Sequence, residues 1–316
     1  PLIEIITLMH LFFIYLKHKP ILVHHFTIKP CIYGGIVSRL LGIKNTINHI
    51  TGLGPSFYSN RIKIKCVNKI LKPFYKYAFN NKKNNIVNIF HNNSDKNTFI
   101  KKLITKKENT LTIKGSGVDI NYFKKEEYFK FDKGIKLLFP ARLIKEKGIV
   151  ELINACNNLW NENYKFTLYI AGEIDKQNRS YLKNEYYKFI HKNPNIKFLG
   201  KCSDMKKVYK KMNMVILPSW REGLSKALLE SAAMSLPIIT TNVPGCKDII
   251  TNNYSGLLVP ARNEDKLKIA IKKYLDNPEL ALKYAEKARK KVCSKFNIEI
   301  INKKILKVYE EFLNID

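Results

Sequence analysis

Residues 214–230 read Met-Val-Ile-Leu-Pro-Ser-Trp-Arg-Glu-Gly-Leu-Ser-Lys-Ala-Leu-Leu-Glu. The apolar run Met214–Ser219 predicts a buried strand, and Glu222 and Gly223 predict a turn. The apolar spacing of Leu224–Ser235 predicts a helix leaving that turn. A buried strand feeding a helix is the repeating unit of a parallel α/β sheet. On either side, strands are predicted at Lys136–Arg142, Phe166–Gly172, Ile196–Gly200, Pro237–Asn242 and Gly256–Pro260. Helices at Ile149–Asn161, Arg179–His191 and Met205–Met212 alternate with them. This is the pattern of a doubly wound sheet, which binds ligands at the C-terminal ends of its strands.

The first third repeats the alternation more weakly. Strands are expected at Ile21–Phe26, Thr46–Gly52, Ile86–Phe90 and Thr110–Gly115, and helices at Cys31–Leu41, Ile62–Phe79 and Lys96–Ile104. Two α/β domains are therefore expected: 1–122, a linker at 123–133, and 134–295. A last amphipathic helix occupies 296–316, its apolar spacing clearest over Ile298–Phe312. The apolar opening, Leu2–Leu16, contains Glu4 and is shorter than the ~20 residues of a membrane span, so it reads as a core helix. The chain starts at Pro1, inside a helix that runs into a strand, from which an N-terminal domain lacking its first strands is expected.

Composition narrows the class. With 45% hydrophobic residues both domains can bury a core. Six cysteines without a CxxC pair or a Cys/His cluster fit reduced thiols in the cytoplasm rather than a disulfide frame or a zinc site. The net charge is +30. No Asp or Glu occurs from Ile5 to Ser94, a stretch with 13 Lys and Arg. Such a region either is simply solvated or attracts phosphates, of nucleic acid or of an anionic membrane surface. The cations are not interleaved with aromatics in a nucleic-acid-binding module, and no nucleic-acid partner is expected.

The chemistry-bearing residues lie in two segments. Glu222 and Glu230 are set about two helical turns apart, roughly 10–12 Å at ~1.5 Å per residue, about the reach from the sugar of a nucleotide-sugar to its ribose. Gly223 admits close approach of backbone to ligand, and the helix N-terminus offers free amides to anionic oxygen. From spacing alone, a capping Glu222 and a solvated Glu230 remain open. In the second segment, Arg142 ends a strand and Lys147 opens a helix, placed to neutralise a diphosphate or simply to stand as surface cations. Neither GxGxxG nor GxxxxGK[ST] occurs here, which disfavours a redox dinucleotide or ATP.

The E-x7-E pair Glu222/Glu230, the Arg142-x4-Lys147-Gly148 segment and the Pro244-Gly245 turn resemble those of family-4 retaining glycosyltransferases of the GT-B fold. The likeness extends through Thr27-Ile28-Lys29-Pro30, Thr51-Gly52-Leu53-Gly54 and Gly115-Ser116-Gly117-Val118-Asp119. It is greatest to bacterial hexosaminyl- and galactosyltransferases of lipid-linked oligosaccharide and surface polysaccharide synthesis. The resemblance implies two Rossmann-like domains facing a cleft, with the last helix returning to the first domain. It implies Arg142 and Lys147 at the donor diphosphate, Glu230 at the ribose and Glu222 at the transferred sugar, beneath the amides of Gly223, Leu224 and Ser225. Uracil would rest near the strand end at Gly200–Cys202, Lys201 included, and His24, Lys29, Thr51 and Gly52 would line the acceptor side. The family's His-x-His is here His24-His25-Phe26, and its glycine-rich loop after the first strand is not in the chain.

No Asp-x-Asp stands at a strand end in the donor domain, so neither a metal nor another cofactor is expected. The lone Asp175 and Asp248 are poorly placed to replace it. The expected reaction is front-face transfer from a UDP-sugar to a polyprenyl-diphosphate-linked saccharide, by a cytoplasmic protein resting on an anionic membrane. A nucleotide-sugar epimerase or hydrolase of the same fold is the nearest alternative, and a basic nucleic-acid-binding protein the more distant one.

Overall fold

The computed structural model describes residues 2–54, 57, 62–80, 85–124, 134–175, 178, 180–182 and 184–313. The chain forms two compact units: Pro1–Ser116 with Ile301–Asp316, and Gly117–Ile300.

In the first unit, strands β1 (Leu22–Phe26), β2 (Asn45–Ile50), β3 (Asn85–Phe90) and β4 (Thr110–Thr112) form a parallel sheet in the order β1-β2-β3-β4. Alternate residues of a strand face opposite sides. Ile50 and Phe90 therefore meet helices α2 (Ile28–Leu40), α3 (Ile62–Phe79) and α4 (Asn93–Lys101) through Cys31, Tyr75, Phe79 and Phe99. Ile47 and Ile89 face the other way and bury Ile301 and Val308 of the last helix, α12 (Ile298–Leu313). The opening segment forms α1 (Leu2–His18), but not a core helix. It rests on α2 and, through Tyr15, on His25, while Ile3, Met9 and Phe13 are more than half exposed.

The second unit holds β5 (Ile135–Phe139), β6 (Phe166–Ala171), β7 (Ile196–Gly200), β8 (Met214–Leu217), β9 (Ile238–Thr241) and β10 (Leu257–Val259). They pair in the parallel order β10-β9-β8-β5-β6-β7. Helices α5 (Ile149–Asn161), α6 (Asn184–Lys192), α7 (Met205–Tyr209), α8 (Lys226–Ala233), α9 (Cys246–Ile249), α10 (Glu264–Asp276) and α11 (Pro278–Lys295) complete it. β8 is apolar on both faces and β9 is buried along its whole length, as cover by two helix layers requires. Strand order reverses between β5 and β8, and ligands of such sheets bind in the crevice beyond the strand ends at that point.

The boundary expected at residue 122 lies earlier. The Val118 amide donates to the Phe296 carbonyl (2.9 Å) and the Ile298 amide to that of Val118 (3.0 Å), tying 117–124 to the second unit. Of the expected linker, 125–133 lie outside the described residues. No described helix is long and apolar enough to cross a membrane.

Candidate donor site

The sequence motifs converge on the strand-order reversal. Beyond β5, residues 140–148 form a loop closed by a 3-10 turn, Lys145–Lys147. Gly148 follows with φ +76°, and a Cβ there would lie 2.1 Å from the Pro218 carbonyl oxygen. Only glycine lets the Lys147 turn press against the end of β8. A backbone bond from Trp220 N–H to the Glu146 carbonyl (2.8 Å) joins the two loops, and the Trp220 indole donates to Glu151 Oε1 (2.8 Å). On the other side, Gly245 has φ +81°, and its Cβ would meet the carbonyls of Gly223 and Glu222 at 2.6 and 2.7 Å.

These contacts fix Glu222. Its Oε1 accepts from Lys147 Nζ at 2.6 Å and from the Ser219 hydroxyl at 2.7 Å. Both partners are largely withdrawn from solvent, with the Lys147 side chain 23% and the Glu222 side chain 10% exposed. Glu222 is not the helix cap. Ser225 caps α8, its hydroxyl accepting from the Leu228 amide. Glu222 therefore lies in a non-helical turn, and Glu230 is the fifth residue of α8 rather than two full turns along it. The rise of a helix does not apply to the whole interval between the two carboxylates, because Gly223–Ser225 are not helical.

Glu230 is buried, not solvated. Its Oε2 accepts from Tyr209 OH at 3.1 Å, and Lys226 Nζ stands 3.7 Å from Oε1. Burial raises its pKa above the ordinary value, an effect that Lys226 and Tyr209 partly offset. Burial, with the Glu230 charge alongside, pushes the Tyr209 phenol well up.

Arg142 lies three residues past β5, with its side chain 54% exposed and its guanidinium 2.6 Å from Asp175 Oδ2. Arg142 and Lys147 thus engage carboxylates from opposite neighbours of β5, after β6 and after β8. Gly200 adopts φ +64°, and Lys201 is 78% exposed, its ammonium 3.9 Å from Glu173. Tyr209 and Ser219 were not singled out by sequence, and Asp175 was weighed only as a metal ligand, not as the partner of Arg142. Ser219 carried a signal, since it stands three residues before Glu222 at a strand end. Asp175, in the loop after β6, and Tyr209, the last residue of α7, carried none.

The residues expected on the acceptor side belong to the first unit. His24 Nδ1 shares a 2.6 Å hydrogen bond with Tyr309 OH, and its ring stacks on Phe26 and His49. Burial, with His49 and His25 nearby, brings its pKa down to about 4. Lys29 pairs with Glu4 at 2.8 Å on the surface. Thr51 and Gly52, both half-buried, directly follow β2.

Residues 121–291 match the family described as "Glycosyl transferases group 1". The chain belongs to that family. Among its relatives is a Staphylococcus aureus capsular polysaccharide biosynthesis glycosyltransferase, CapM, 29% identical over 66% of this chain and 57% of the relative's own length. Another is a Campylobacter jejuni N,N'-diacetylbacillosaminyl-diphospho-undecaprenol alpha-1,3-N-acetylgalactosaminyltransferase, 26% identical over 90% of this chain and 75% of the relative. The fold matches that of Anabaena HepE in complex with UDP-glucose, with a TM-score of 0.77 at 18% identity over 96% of this chain and 82% of HepE. The architecture is GT-B, and the segment matching the family lies within the second unit.

Proposed function

We propose that the protein is a retaining transferase that moves a hexose or N-acetylhexosamine from a UDP-sugar to a polyprenyl-diphosphate-linked saccharide. The observation that carries this reading is the set Arg142, Lys147, Glu222 and Glu230, two cations and two carboxylates gathered beyond β5 and β8. In the proposed complex Arg142 and Lys147 leave their carboxylate partners for the diphosphate, Glu230 accepts from the ribose hydroxyls, and Glu222 meets the sugar. The acceptor oxygen bonds to the anomeric carbon on the face from which the diphosphate departs, and the acceptor proton passes to the leaving phosphate oxygen. Catalysis is then charge stabilisation and positioning by Arg142 and Lys147, without a metal.

The lipid-linked acceptor draws support from the Campylobacter relative's name and from the surface of the first unit. The segment from Ile5 to Ser94 has 13 cations and no carboxylate. Within it, α3 leaves Val67, Ile70 and Phe74 exposed at i, i+3 and i+7, one stripe of the helix. An apolar stripe on a cationic unit suits peripheral contact with an anionic membrane. The test is release of UDP from UDP-glucose, UDP-galactose and their N-acetylamino forms, with and without bacterial membrane lipid extract. Release that requires the extract supports transfer. Release that ignores it points to a hydrolase, and no turnover of any donor contradicts the assignment.

A further inference from the structure

The Lys147–Glu222 pair raises a question of hand-over. If Lys147 turns to the donor diphosphate, Glu222 loses its cation at the moment it must meet the sugar. A second donor is already in place. Ser219 is fully buried, and its hydroxyl reaches Glu222 Oε1 at 2.7 Å. Its backbone is pinned as well. The ladder of β8 ends at Leu217, because Pro218 has no N–H to continue it. Two threonines of β9 take over: Thr240 donates its hydroxyl to the Leu217 carbonyl at 2.7 Å, and Thr241 donates to the Ser219 carbonyl. Both threonines are fully buried. Ser219 is thus anchored from behind by the sheet and is aimed forward at the carboxylate.

We infer that Ser219 is a positioning residue that holds Glu222 for the transferred sugar once Lys147 has moved to the diphosphate. This rests on the donor reading above and deepens it. Both bonds to Glu222 end on Oε1, so holding that oxygen orients Oε2 toward a sugar hydroxyl. The role is specific to the sugar. Ser219 does not act on the phosphates, so its loss separates UDP-sugar from UDP.

The experiment uses the full chain, the UDP-sugar that it turns over, and UDP alone. Ser219→Ala should bind UDP within about twofold of wild type. Its affinity for the UDP-sugar should fall about tenfold or more, the loss expected for a hydrogen bond to a charged group. Turnover at saturating donor should fall as well. Ser219→Thr, which keeps the hydroxyl, should recover most of both, and Thr241→Val should lie between them. Equal loss of UDP and UDP-sugar in Ser219→Ala and Ser219→Thr alike would reduce Ser219 to a packing role and overturn the inference. So would unchanged turnover in Ser219→Ala. If Ser219→Ala fails to fold, the same comparison made with Thr241→Val decides. Failure of the wild-type chain to bind UDP at all would instead remove the donor reading beneath it.

Discussion

The Lys147 ammonium lies 2.6 Å from Glu222 Oε1, and both side chains are mostly withdrawn from water. An ion pair in such surroundings is costly to break one-sidedly, because the remaining charge keeps its desolvation without its partner. A diphosphate would offer Lys147 a second anion, leaving Glu222 with the Ser219 hydroxyl. On the donor reading proposed above, the pair orders Lys147 and Glu222 and competes with the diphosphate for Lys147.

Glu222→Gln removes that competition while keeping the shape and the bond to Ser219. UDP should bind a few-fold more tightly to it, whereas sugar transfer should fall by about 10²-fold, the scale of losing one electrostatic contact in a transition state. Calorimetry and turnover on the same preparation check both. Weaker UDP binding by a folded Glu222→Gln would mean that Lys147 does not serve the phosphates.

Glu230 makes a pH prediction. Its carboxyl holds its proton more tightly in the folded chain than in the unfolded one. The stability it contributes is fully present below the ordinary value of 4.5 and is lost as pH rises through the raised folded value. Glu230→Gln has no such loss. The variant should match wild type in stability near about pH 4 and exceed it by up to about 1 kcal/mol near about pH 7, while binding uridine more weakly. Denaturation at both pH values reads this out. A constant difference between the two proteins would show that the burial of the charge is not what matters.

Much of this was legible in the residues. Met214–Leu217 is apolar at every position, and a short apolar run followed at once by a turn reads as a doubly covered parallel strand. The turn after β8 was legible from Gly223, but the helix start was not. Leu224 continues the apolar pattern, and only the hydroxyl of Ser225 accepting from Leu228 moves the start to Lys226. The ion-pair partners were not legible at all. Asp175 lies 33 residues from Arg142 and Glu222 75 from Lys147, and parallel crossovers bring them together without a local signal. The opening helix misled because Leu2–Leu16 is mostly apolar, and composition does not tell a buried helix from one that rests on a single neighbour.

Gly148→Ala tests the loop geometry. Its left-handed backbone costs a substituted residue about 1–3 kcal/mol, and the added Cβ must also displace the Pro218 carbonyl, 2.1 Å away. The variant should lose at least that much stability, and its UDP affinity should fall because Lys147 is moved off β8. Thermal unfolding with and without UDP measures both. A variant as stable as wild type would mean that the two loops are not packed as described.

The exposed stripe on α3 bears on the membrane proposal. Vesicles with anionic lipid should retain the protein and release it as salt rises, since each cation near such a surface contributes about 1 kcal/mol within a Debye length of about 8–10 Å. Ile70→Ser with Phe74→Ser should reduce retention about tenfold, whereas Ile269→Ser, an exposed apolar residue of the second unit, should leave it unchanged. Equal retention by neutral vesicles would assign the contact to apolar surface alone. Retention by neither kind would contradict a membrane role.

Affinity for UDP compared with uridine tests most directly whether Arg142 serves the diphosphate and Glu230 the ribose. Arg142→Ala should weaken UDP by ~1.5–3 kcal/mol and leave uridine nearly unchanged, and Glu230→Ala should weaken both by a similar amount. Arg142 is exposed, so its substitution should not affect folding. If both variants, folded and pure, bind UDP as tightly as wild type does, the donor site lies elsewhere.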